Sequence, residues 1–246
     1  MSAPRTGIAI ALAMLVLYVA LGQNAYHGLD AFSYLDMVSR GELHNELNIL
    51  YQPTAYAFAK LCAAFGLPLY EAMRLLSAIA AALGVFCAHR AALQLGLAPA
   101  HAMAAALGCG LCPAVLHAAT VVEVDAILFA CSALAWMPFA RTLRDGGPAA
   151  AAATGAATAL AAGFHAAGHL LFGTLCGLQL AWGFPTRSLR RTVPRVLVMA
   201  LVHGALTLAL GRLAGVSGQA TMASNTAGLM LRADFVPHVL WHEWLL

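Results

Sequence analysis

In a chain of 246 residues, 62% hydrophobic side chains and only 9% charged ones exclude a soluble globular domain, where about a quarter of residues carry charge. The mean hydropathy of +0.80 agrees. The net charge of +3 is small, and no basic cluster is interleaved with aromatics, so nucleic acid is excluded as a partner.

The first element is the apolar run 7–22 behind Arg5. No clear small-x-small cleavage site follows Gly22, so this run reads as a retained first span. Next comes a polar stretch, 23–71, that holds Asp30, Asp36, Glu42, Glu46 and Glu71. Within it, 51–66 (YQPTAYAFAKLCAAFG) is apolar enough to tempt a spanning assignment. That assignment would swap the side of every later loop and place Lys60 near the bilayer centre, at about 2.5–3.5 kcal/mol on insertion scales. A helix lying in the outer interface, with Pro53 in its first turn and Lys60 toward water or headgroups, removes both problems.

Six further apolar runs follow, at 72–88, 101–119, 124–140, 148–164, 166–183 and 194–211. Each is close to the length needed to cross a hydrocarbon core as a helix. The fold class expected is therefore all-α: one polytopic bundle over 1–246, with about seven spans and interfacial helices in an outer loop at 23–71. Lys and Arg prefer the cytoplasmic side. Placing Arg5, Arg90, Arg141, Arg144, Arg187, Arg190, Arg191 and Arg195 inside leaves Asp145 as the only acid there. The N-terminus is then cytoplasmic, the other carboxylates face out, and 101–119 with 124–140 and 148–164 with 166–183 form outer hairpins. The small residues of the Ala-rich stretch 149–162 should let neighbouring helices approach closely.

The six cysteines sit mostly in apolar runs and read as small hydrophobes. Cys109-Gly-Leu-Cys112 reads as close helix packing, since no His follows as in a haem-attachment site. On the outer side, Asp30 lies nearest the membrane end of the first span, in a Gly-Leu-Asp turn. Asp36 is six residues on and off its helical face. Glu123 and Asp125 open the fourth span, and at about 200° apart only one can face the bundle. They also suit a helix N-terminus as caps. His165 and His169, four apart, are expected on one helical face as substrate donors, metal ligands or interfacial side chains. His203 falls inside the last span, where a bond to a backbone carbonyl is the ordinary outcome. A haem pair from His117, His169 and His203 is disfavoured because His203 should lie deeper. Gly215-Val-Ser217-Gly218 matches the G-x-S-G of rhomboid proteases, but His238 and His242 lie in a short terminal stretch without the spanning helix that a base would need.

The stretches GLDAFSYLDMVSRGELHNELNILYQPTAYAFAKL, EAMRLLSAIAAALGVFCAHRAALQLGL, VVEVDAILFACSALAW and GFHAAGHLLFG resemble, in that order, parts of the GT-C class of polytopic glycosyltransferases. That class includes the protein O-mannosyltransferases and the lipid-A aminoarabinose transferases. In them an acid follows span one, a membrane-hugging helix comes next, and an acid-led helix precedes a Gly/His hairpin. The resemblance covers about residues 1–185. It departs at Asp125, where relatives often carry Tyr, and at 215–246, where the family usually continues with more helices. The chain is accordingly expected to be an N-terminal fragment, a minimal member or a degenerate relative.

The resemblance implies transfer of a sugar from a polyprenyl-phosphate donor to an unidentified acceptor at the extracytoplasmic face of a bacterial inner membrane. By position Asp30 would be the catalytic base, assisted by Glu123. Asp36, His44, Lys60, Arg74, Asp125, His165, His169 and Arg212 would bind substrate, the three bases at phosphate depth. A divalent cation is a possible cofactor, with no ligand spacing that fixes it. The alternatives are a non-catalytic membrane binding or transport protein of the same ancestry, and an intramembrane serine protease using Ser217.

Overall fold

The structure, a computed structural model, describes residues 3–23, 28–43, 48–144, 147–183 and 189–213. Every regular element among these residues is an α-helix: α1 (Ala3–Ala20), α2 (Gly28–Arg40), α3 (Tyr51–Ala63), α4 (Leu69–Gln94), α5 (Pro99–Leu111), α6 (Pro113–Thr120), α7 (Asp125–Arg144), α8 (Pro148–Phe164), α9 (Ala167–Gly183) and α10 (Leu189–Leu213). The all-α expectation holds.

Helices α4, α7 and α10 are long and apolar enough to cross a membrane, and α5 with α6 meets the test as a pair bent by 59°. Against the seven spans expected from the sequence, three or four are found among the described residues on length and composition. Helix α8, at 17 residues, reaches only about 26 Å at 1.5 Å per residue. The region 101–119 is not one straight span either. Pro113 has no N–H for the helical ladder and holds Cys112 extended, at φ −63 and ψ 143, so the helix stops and restarts in a new direction. Glycines end other helices. Gly96, at φ 93, lets Leu97 N–H reach back to Ala92 O at 3.1 Å.

Helix α4 is the hub, packed against α1, α3, α5, α6 and α7. Its buried face is made of small residues, among them Ala72, Ala78, Ala81 and Gly84. A Cβ at Gly84 would lie 2.5 Å from the Phe129 ring, so the α4–α7 contact depends on its absence. Likewise a Cβ at Gly155 would lie 2.5 Å from Met199 O, as expected of the Ala-rich run. Large apolar side chains face outward instead, including Leu12 and Val16 of α1, Trp182 of α9 and Leu201 of α10. An apolar exterior around a core of small residues suits lipid better than water.

By compactness the chain divides into Met1–Thr207 and Leu208–Leu246. Of the second unit only the end of α10 is described. Within the first unit the helix ends gather at two poles. At one, Gln23 N–H donates to Thr120 O at 3.0 Å, Tyr70 OH to Gln23 O at 2.8 Å and Leu50 N–H to Gly163 O at 2.8 Å. This carboxylate end collects α2, α3, Glu71, Glu123 and Asp125. At the other, Arg144 Nη1 donates to Gln94 O at 3.0 Å and Arg195 Nη1 to Thr142 O at 2.9 Å. This arginine end also carries Arg90, Arg141, Arg190 and Arg191.

Candidate functional site

Helices α2 and α3 are joined at the carboxylate end by a polar and aromatic cluster. Asn48 Nδ2 donates to Tyr34 OH at 3.1 Å, and the Tyr34 and Tyr51 rings meet edge to face at 4.7 Å. Gln52 Nε2 points at Met37 Sδ, 3.4 Å away. Tyr51 and Gln52 are fully buried, yet the Tyr51 hydroxyl and Gln52 Oε1 have no hydrogen-bond partner among the described residues. Burial pushes the Tyr51 phenol well above its ordinary value, and Tyr34 and the Glu123 carboxylate add to the shift. Tyr51 is therefore a neutral hydroxyl beside a carboxylate. Sequence reasoning missed this cluster. Its only signal was a Tyr-Gln pair ahead of Pro53, in a segment otherwise read for its apolar content.

Glu123 is half-buried ahead of α7, where its Oε2 accepts from Val124 N–H at 3.2 Å. Ser77 of α4 fixes the same turn by donating to Glu123 O at 3.2 Å. Asp125 is exposed, so of the two acids Glu123 is the one turned toward the bundle. Arg74 donates through Nε to Glu71 Oε2 at 3.0 Å. Both line a groove of about 160 Å³ with Tyr18, Val19, Leu67, Leu75 and Ala78. A side chain at Gly22 would take the place of the Arg74 guanidinium.

The other expected residues are scattered. Asp30 falls in the first turn of α2 and not in a separate turn, and its side chain lies outside the described residues, as does His44. Asp36 is exposed and paired with Arg40 at 2.9 Å, one helical turn on. Lys60 is exposed on the face of α3 opposite buried Ala55, Ala59 and Cys62, 5.3 Å from the Tyr56 ring centroid. Arg212 is exposed in the last turn of α10. Ser217, His238 and His242 lie outside the described residues.

Two expectations about histidine are corrected. His165 and His169 do not share a helical face, because His165 is extended (φ −155, ψ 139) in the turn between α8 and α9. Its Nδ1 accepts from Ala167 N–H at 3.1 Å and so caps α9. The His203 ring is not bonded to a backbone carbonyl. Its Nε2 lies 3.0 Å from His169 Nδ1, and its Nδ1 lies 3.0 Å from Thr158 Oγ1. No group of three or more His, Cys, Asp or Glu among the described residues could hold a metal ion, and Cys109 and Cys112 are free thiols at the α5–α6 break. No family model matches the chain, and neither a curated protein nor a solved structure was found to be similar to it.

Proposed function

We propose that the chain is a GT-C-like membrane glycosyltransferase acting at its carboxylate end, with that end facing the extracytoplasmic side. The observation that carries this reading is the order α1–α2–α3–α4. An apolar helix is followed by two short helices laid on the acidic pole, with an acid in the first turn of the first of them. On this reading α1, α8 and α9 also cross the bilayer, giving seven spans counting α5–α6 as one, and α2 and α3 lie in the interface. The N-terminus and the arginine end are cytoplasmic.

The reaction follows from the charge arrangement. Asp30 accepts the proton of the acceptor hydroxyl as general base. The acceptor oxygen forms a bond to the anomeric carbon of the sugar, and the bond from that carbon to the donor phosphate breaks. Its electron pair leaves on the polyprenyl phosphate. Arg74 supports the charge gained by that phosphate, with Lys60 as a further base at headgroup depth. The apolar walls of the Tyr18–Arg74 groove suit a lipid chain. Glu123, beside the Tyr51 hydroxyl, orients the acceptor; Asp36, His44, Asp125, His165 and His169 complete the polar surroundings, with or without a divalent cation.

The test is transfer from a polyprenyl-phosphate sugar by the full chain in proteoliposomes. Asp30→Asn is expected to abolish transfer while leaving membrane insertion intact, and full activity in that variant removes Asp30 from the mechanism. One observation favours a second reading, a non-catalytic membrane protein of the same ancestry. Glu123 is used as a helix cap and Arg74 is neutralised by Glu71. Ligand binding without transfer would support that reading.

A further inference from the structure

Three helices contribute to one continuous polar chain. Thr158 of α8, His169 of α9 and His203 of α10 are linked by contacts of 3.0 Å, and Thr158 and His203 are buried. His169 is exposed in the first turn of α9. Thr158 lies only about 9 Å along α8 from its C-terminal end at 1.5 Å per residue, so the chain starts at the carboxylate end and runs inward. Phe172 stacks on the His203 ring, with centroids 4.1 Å apart and planes within 9°. The two imidazoles are in direct contact, and His169 is the titratable group that acts on His203.

Hydrogen positions follow from the donors available. Thr158 Oγ1 also contacts Gly155 O at 3.0 Å, and its single proton can satisfy that carbonyl. The hydroxyl then accepts from His203 Nδ1–H, His203 Nε2 accepts from His169 Nδ1–H, and His169 Nε2 is left as a bare, outward-facing acceptor. A proton arriving there makes His169 an imidazolium. Passing the Nδ1 proton to His203 moves the charge inward. His203 then donates from both nitrogens, to Thr158 Oγ1 and to His169 Nδ1, with its face against Phe172. His169 is neutral again and now carries Nε2–H. A second proton would set two N–H groups head to head and two like charges 3.0 Å apart.

We propose that His169, His203 and Thr158 form a one-proton imidazole pair, in which His203 positions His169 and His169 Nε2 exchanges the proton with a ligand at the carboxylate end. This part rests on the transferase reading: the ligand group needing a proton is the departing polyprenyl phosphate. As it leaves, it turns from a phosphodiester into a monoester whose added charge titrates near pH 6, within reach of an imidazole. The proton goes from His169 Nε2 to a phosphate oxygen, His203 returns its own to His169, and the pair refills from water.

The experiment uses the full chain in nanodiscs with 15N-labelled histidine. The expected result is a through-bond coupling between one Nδ1 and one Nε2, lost in His203→Phe and in His169→Phe. The pair should take up one proton, not two, as the pH is lowered. Thr158→Val, a near-isosteric change that keeps the helix, should lower proton affinity about tenfold by removing the acceptor for His203 Nδ1–H. Two rings that titrate independently without coupling, or a titration unmoved by Thr158→Val, overturn the pair. In the transfer assay His203→Phe should lower kcat by about tenfold to a hundredfold with KM kept, and flatten the pH profile; His203→Gln, which can accept and donate in the same places, should recover part of it. An unchanged pH profile in His203→Phe overturns the catalytic use of the pair. A wild-type chain inactive in transfer overturns the transferase reading instead, and the coupling still decides the pair.

Discussion

Glu123 and Asp36 are carboxylates at the same pole, and their surroundings set them apart. Asp36 is exposed and its partner Arg40 is exposed too, so water and salt screen the pair and neither is held against the bundle. Glu123 is half-buried, fixed by Ser77 on one side and the α7 N-terminus on the other. Glu123→Gln is therefore expected to lower transfer by at least about tenfold, and Asp36→Asn by less than about twofold. Equal or reversed losses in a steady-state assay contradict that ordering. Tyr51 allows a separate check. Its buried hydroxyl has no partner among the described residues, so Tyr51→Phe should leave thermal stability in detergent within about 1 kcal/mol of the parent, or raise it. A loss of several degrees in Tm would mean that the hydroxyl has a partner.

At the scale of elements, close packing rests on particular glycines and breaks on particular prolines. Gly155→Ala should cost about 1–3 kcal/mol, because the added methyl meets the Met199 carbonyl and α8 must move off α10. Gly108→Ala, with nothing within 4 Å of the added atom, should be neutral or stabilise α5 by up to about 1 kcal/mol. Denaturation of both variants side by side checks this, and equal effects would count against the packing. Much at this scale was readable beforehand. Helix α3 forms within the expected helical segment 51–66, with Pro53 in its first turn and Lys60 exposed. The Pro113 break was also written in the sequence but was hidden by the apolar run around it. A break at 165 was expected from the spans 148–164 and 166–183, but GFHAAGH carries no proline to show that the turn takes His165 off the α9 face, and the tight return depends on Gly168 lying against the backbone of Ala161 and Ala162. Contact between His169 and His203 depends on the relative register of α9 and α10, which helical period alone does not contain.

For the whole molecule, sidedness organises the rest. The sequence divides most carboxylates from most guanidiniums by loop, and the fold of the first unit collects them at opposite poles, with Arg40 and Arg74 left at the carboxylate end. Local charge content made that legible, whereas the buried Tyr34–Asn48–Tyr51 cluster needed the loop to fold back on the bundle. The account depends most on which pole faces outward. With the six natural cysteines replaced by alanine, Asp36→Cys and Arg144→Cys place single thiols at exposed positions of opposite poles. A membrane-impermeant thiol reagent on intact cells is expected to label Asp36→Cys, and to reach Arg144→Cys only after permeabilisation. Labelling of Arg144→Cys in intact cells, or of both positions from one side, would contradict the orientation and with it transfer at the carboxylate end.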